Sequence, residues 1–216
     1  MTLLRIDASI RTTGSASREI ADVVEQEWVD GHPDARVVRR HLGTDPLPSG
    51  AWADAVSGSW TPEAERSPEQ LAGQALAAAL VDELVAADAV LLAVPLYNFG
   101  VSQHVKAWID LVIADPRAGA GSAPVLAGTP VVLATVRGGS YAAGTPREGW
   151  DHSTGYLRRI LADVWGADLT VVEREFTLVG VNPALDAFTD VAGQMQATAL
   201  SAARDAGRAL GLPRAA

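Results

Sequence analysis

Three stretches of this chain hold residue types suited to gripping a small ligand. The apolar run Leu91–Val94 leads into Pro95-Leu96-Tyr97-Asn98-Phe99-Gly100. Proline has no N–H to give to a sheet ladder, so a strand ends there and the aromatic-amide turn beyond it stands at the sheet's carboxyl edge. Tyr97 and Phe99 offer flat apolar surface, and Asn98 with nearby backbone N–H groups can bond a ring bearing carbonyls and nitrogens. The second stretch, Ser9 to Ser17, carries hydroxyls on Ser9, Thr12, Thr13, Ser15 and Ser17, with Gly14 freeing backbone N–H groups ahead of a helical pattern. Such a place suits a phosphate. The same serines would also serve as ordinary helix caps, and the loop alone does not separate these uses. The third stretch is Arg137-Gly138-Gly139-Ser140-Tyr141, where two glycines let backbone approach a ligand closely.

The elements between these stretches must bring them together. Strands are expected at Leu3–Ala8, Ala35–His41, Ala89–Val94, Pro130–Val136 and Leu169–Leu178. Helical spacing follows in Ile20-Val23-Val24-Trp28, from a Ser67-Pro68-Glu69-Gln70 capping signal through about Ala87, and over Val101–Ala114, Thr154–Trp165 and Pro183–Leu210. The stretches 44–61 and 115–128 are expected to be connections without elements of their own. Five strands alternating with five helices predict a parallel sheet with helices on both faces. In such a sheet the three ligand-capable loops open on one edge, and that coincidence favours a site over core packing or plain turns.

Composition narrows the function further. The 216 residues fit one domain, 1–216. With 17 Lys+Arg, of which one is a lysine, against 26 Asp+Glu, the net charge of −9 speaks against nucleic acid and against an anionic membrane. The absence of cysteine excludes disulfides, thiolate metal sites and a cysteine nucleophile, so any redox chemistry belongs to a cofactor. Charges within the first residues and within Leu76–Val94 argue for neither export signal nor membrane span, and a cytoplasmic location is expected. Four histidines without ligand spacing, no glycine-lysine phosphate loop and no nucleophile elbow leave metal, triphosphate and hydrolase readings without support.

Asp7-Ala8-Ser9 with Ser15-Ala16-Ser17, Pro95-Leu96-Tyr97-Asn98-Phe99, Lys106-Ala107-Trp108-Ile109-Asp110-Leu111, Arg137-Gly138-Gly139 and Gly155-Tyr156-Leu157 occur in the order seen in a known family. The chain resembles the FMN-dependent NADH-azoreductases, relatives of the NAD(P)H quinone reductases. The resemblance implies a flavodoxin-like, doubly wound five-stranded sheet of order 2-1-3-4-5 and a homodimer. It also implies FMN as cofactor, NADH or NADPH as donor, and ping-pong reduction of a quinone, azo compound or other planar acceptor. The cofactor-binding residues would be Ser9, Arg11, Ser15, Ala16, Ser17, Pro95, Leu96, Tyr97, Asn98, Phe99, Arg137, Gly138 and Gly139, with no catalytic side chain and no metal. Surplus apolar surface, Trp108 included, would feed the dimer. Two departures bear on the acceptor. The 115–128 loop lacks the family's aromatic residues, which would leave an open, mobile pocket wall over the flavin, and Ser140-Tyr141-Ala142-Ala143 stands where a histidine is common. A specialised biosynthetic flavoenzyme and a non-catalytic electron carrier are the competing readings.

Overall fold

A computed structural model describes residues 1–119 and 121–211. The strands β1 (Thr2–Asp7), β2 (Arg36–His41), β3 (Ala89–Pro95), β4 (Pro130–Val136) and β5 (Asp168–Arg174) form one parallel sheet in the order β2-β1-β3-β4-β5. The order 2-1-3-4-5 expected from the resemblance is the one observed. Successive residues of β1 point to opposite faces: Leu4 and Ile6 pack with one buried cluster and Leu3 with another. Helices α3 (Pro68–Val85), α4 (Gln103–Ala114) and α5 (Thr154–Arg158) cover the first face, and α1 (Ala16–Gly31) with α6 (Thr189–Leu210) covers the second. The capping box at Ser67 forms as read: Gln70 N–H donates to Ser67 Oγ at 3.2 Å, and Ser67 N–H to Gln70 Oε1 at 3.0 Å.

Several expectations need correcting. The 44–61 connection contains a helix, α2 (Ala51–Trp60), which buries only Ala51, Ala55 and Gly58 and so shows no periodicity of large apolar residues. Its packing is a close approach instead, since a Cβ on Gly73 of α3 would lie 2.7 Å from Ala55 N. Helix α5 continues as a π-turn over Arg159–Val164, and the last strand ends at Arg174, four residues early. Trp108 is 1% exposed and meets Trp165 edge-on at 5.5 Å, so its apolar surface is spent inside the protomer. Helix α6 likewise turns Ala199, Ala203 and Leu210 into the core.

The 115–128 loop lies at the amino edge of the sheet, opposite the strand ends that carry the three candidate loops. Leu126 N–H donates to Trp165 O and Gly128 N–H to Gly166 O, just before β4 and β5 begin. The reason is topological: α4 runs back along β3, so the segment after it cannot return to the carboxyl edge. The start of the loop is tied down. Arg117 bonds Asp115 and Asp82, and the bonds from Arg117 hold the Asp115 carboxyl below its ordinary pKa despite burial. Ala120 lies outside the described residues.

Candidate functional site

At the carboxyl ends of β1, β3 and β4 a cleft of about 310 Å³ opens between the three loops. Its first wall is the serine loop. Ser15 is the N-cap of α1, its Oγ accepting from Arg18 N–H at 3.4 Å and lying 3.2 Å from Ser17 Oγ. The first N–H groups of a helix have no intrahelical acceptor and carry the positive end of its dipole, so this corner attracts an anion. Arg18 reinforces the arrangement from outside the cleft. Its guanidinium donates to the carbonyls of Ser9 (2.9 Å) and Arg11, drawing the loop's oxygens toward itself. Gly43, after β2, lets the loop seat: a Cβ there would lie 2.2 Å from Ser9 O, a backbone atom that cannot step aside. Gly43→Ala should therefore destabilise the protein by about 1–3 kcal/mol and displace the serine loop, read out by urea unfolding and by weakened ligand binding in the cleft. Unchanged stability would mean that the loop relaxes freely.

The second wall is the turn after β3. Gly100 N–H donates to Tyr97 O at 3.0 Å, closing a tight turn with Asn98 and Phe99 at φ of 48° and 68°. Two successive non-glycine residues in the left-handed region store strain of about 1–3 kcal/mol each, an arrangement found where ligands are clamped. Tyr97 does more than supply a flat face. Its hydroxyl accepts from Ile10 N–H and lies 3.3 Å from Ser9 Oγ, tying the β3 turn to the serine loop. On the open side, Phe99 meets Trp150 edge-on at 5.4 Å, and His152 N–H donates to Phe99 O at 2.9 Å.

The third wall pairs Arg137–Gly139 with the chain beyond β5. Thr177 N–H donates to Arg137 O and Leu178 N–H to Gly138 O, both at 3.1 Å, which brings Thr177 and Leu178 into the cleft lining beside Gly138, Tyr141 and Arg147. A Cβ on Gly138 would strike Leu178 Cδ1 at 2.6 Å, so glycine is what permits this approach.

Of the thirteen residues singled out from sequence, eleven line the cleft; Arg137 and Gly139 do not. The Arg137 side chain turns away, buried, to Asp151 (2.6 Å), Glu173 (2.9 Å) and Thr154 (3.0 Å). Burial alone would lower the pKa of its guanidinium, but the bonds to Glu173 and Asp151 outweigh it and hold it above the ordinary value. Arg137 thus staples the 138–152 segment to the sheet. Arg147, Thr177 and Leu178 were missed because they reach the cleft from a loop without periodicity and from the chain beyond β5, and Val136 because it read only as the end of a strand. Tyr141, which closes the third stretch read from the sequence, lines the cleft as well.

The lining residues carry hydroxyls, amides, aromatic rings and two arginines, with no carboxylate among the described ones, in a chain of net charge −9. That donor set, with a helix N-terminus at one end and a strained aromatic turn in the middle, fits a flat ring bearing a phosphate tail. Elsewhere, groups with depressed pKa such as Asp115 and Asp151 stand outside the cleft.

Comparisons with known proteins agree with this fold. A family model described as flavodoxin-like fold matches residues 1–198. An FMN-dependent NADH:quinone oxidoreductase of Parafrankia sp. (strain EAN1pec) is 40% identical over 205 residues, covering 94% of this chain and 97% of that protein. Its counterpart of the same name in Streptomyces avermitilis is 38% identical over 92% of this chain and 91% of its own length. Among solved structures, an FMN-dependent NADH-azoreductase from Bacillus anthracis str. Ames Ancestor, in complex with FMN, superposes with a TM-score of 0.77. It covers 98% of this chain and 100% of that one at 17% identity, and so reports on the fold alone. By sequence over nearly its whole length and by topology, the chain belongs to the flavodoxin-like family, alongside the FMN-dependent NADH:quinone oxidoreductases.

Proposed function

We propose that this protein is an FMN-dependent oxidoreductase that takes reducing equivalents from NADH and passes them to a quinone, or to an azo compound of similar flatness. The observation that carries the reading is the acid-free cleft with a helix N-terminus at one end and the Tyr97–Phe99 turn in the middle. FMN, when bound, supplies the two-electron chemistry linking donor and acceptor; the protein supplies binding, orientation and electrostatics. Ser9, Ser15, Ser17 and Arg11 hold the phosphate with the amides opening α1. Leu96, Tyr97, Asn98 and Phe99 form the wall against the ring, and the Gly138 backbone lies at its other edge. Phe99 and Trp150 leave an aromatic shelf on the open side, 41% and 49% exposed, where a flat acceptor can stack.

This shelf, and not the 115–128 loop of the same chain, is the surface that selects the acceptor. Trp52, Trp60 and Leu71 stay exposed on α2 and α3 and support a homodimer built on that surface. Light scattering showing a 22.5 kDa particle would count against it. Among the described residues no helix is long and apolar enough to cross a membrane.

The experiment is spectroscopic. The purified protein should show the visible bands of FMN, bleach under NADH without oxygen and recover them on addition of a quinone. Bands that persist with excess NADH would point instead to an electron carrier, and a protein that takes up no FMN would end the assignment.

A further inference from the structure

Arg147 is one of two arginines that line the cleft. It lines the cleft from the 138–152 segment, its guanidinium carbon 5.9 Å from the centre of the Tyr141 ring, and its Nη1 lies 3.2 Å from the point where Gly139 would carry a Cβ. A side chain at residue 139 would crowd the tip of this arginine, so the second glycine of the pair leaves it room. No carboxylate among the described residues pairs with it. Its neighbour Glu148 accepts from Gly144 N–H, and Glu175, below Tyr141, accepts from Ser140 Oγ and Tyr141 N–H. In a chain with 26 acidic residues most other arginines find one, among them Arg5, Arg40, Arg117, Arg137 and Arg174. Arg147 is solvent-exposed yet lines a carboxylate-free cleft beside the Tyr141 ring, which places its charge where an anion arriving with the ligand can meet it.

That anion is not the phosphate. The serine corner with Arg11 stands at the end of β1 and Arg147 at the end of β4, with β3 between them. Two strand spacings, about 10 Å, separate these ends, which leaves Arg147 beside the ring portion of the ligand. We propose that Arg147 binds the ring end of FMN and stabilises the negative charge that this end gains on two-electron reduction, so that it raises the flavin's midpoint potential. The proposal rests on the FMN reading given above.

The test compares holoprotein of wild type, Arg147→Met and Arg147→Lys by two measurements: fluorescence titration with FMN and with riboflavin, and a spectroelectrochemical titration of the bound flavin. Arg147→Met should weaken binding of the reduced form about tenfold more than the oxidised form, a midpoint about 30 mV more negative. Arg147→Lys should recover most of that shift, and circular dichroism should confirm that both variants fold, as expected for an exposed loop position. A midpoint in Arg147→Met equal to that of wild type overturns the proposal. So does a loss of FMN affinity with riboflavin affinity unchanged, which would assign the charge to the phosphate. A wild-type protein that binds no FMN overturns the underlying functional reading, and is distinguished from these outcomes by the first titration alone.

Discussion

Replacing Ser15 by Asp should weaken FMN binding roughly a thousandfold and leave the fold intact. The substitution separates structure from ligand because aspartate is as good an N-cap as serine: its carboxylate can accept the Arg18 N–H that Ser15 Oγ accepts now, and a negative charge at a helix N-terminus contributes about 0.3–1 kcal/mol. The same charge occupies the corner meant for the phosphate. Two unit charges about 4 Å apart near a protein surface repel by about 4 kcal/mol, which corresponds to about three decades in Kd. Riboflavin, which lacks the phosphate, should lose far less, and the melting temperature of the ligand-free protein should hold or rise. FMN affinity within threefold of wild type would show that the serine corner does not hold the phosphate.

Arg137→Met should cost about 3–5 kcal/mol of stability, since it leaves buried carboxylates without their cation. The lower end is favoured because the Glu173 side chain, 40% exposed, can turn to water, whereas Asp151, at 14%, stays enclosed. For a chain of this size the melting temperature should fall by roughly 6–12 °C. The effect should depend on pH in a defined direction. Burial tends to raise the Asp151 pKa, but the N–H and hydroxyl of Thr154, the N–H of Ser153 and the Arg137 guanidinium together bring it below the usual 3.8. A carboxyl whose folded pKa is depressed stabilises fully above its unfolded value and loses that contribution as pH falls through the folded one. The gap between wild type and Arg137→Met should therefore be widest near neutrality and narrow below pH 3.8. Urea unfolding at both pH values checks this, and a gap that is constant or widens on acidification would assign the stabilisation to something other than this ion pair. FMN should still bind at neutral pH, with affinity lowered only as far as the 138–152 segment loosens, because Arg137 positions that segment without lining the cleft itself.

The sequence by itself determined the parts of this protein that depend on neighbours along the chain. Most strand and helix patterns, the Ser67–Gln70 capping box and the stop at Pro95 are local and appear in the structure where the residues put them, while the last strand ends four residues earlier than its pattern and the 44–61 stretch holds an unread helix. The order of strands placed the ends of β1, β3 and β4 on one edge, so the serine loop and the Tyr97 turn were legible as partners in a cleft. What only the tertiary structure decided depends on contacts between distant segments. Helix α2 is held by small residues against Gly73 and leaves no apolar period to read. Arg137 stood next to the right glycines but turned to Asp151 and Glu173, because a buried guanidinium is lowest in energy where it finds carboxylates. Trp108 could equally have faced a partner, and packing against Trp165 drew it inward. Thr177 and Leu178 entered the cleft because the chain beyond β5 hydrogen-bonds to Arg137 and Gly138, a pairing about forty residues apart in sequence that no local pattern encodes.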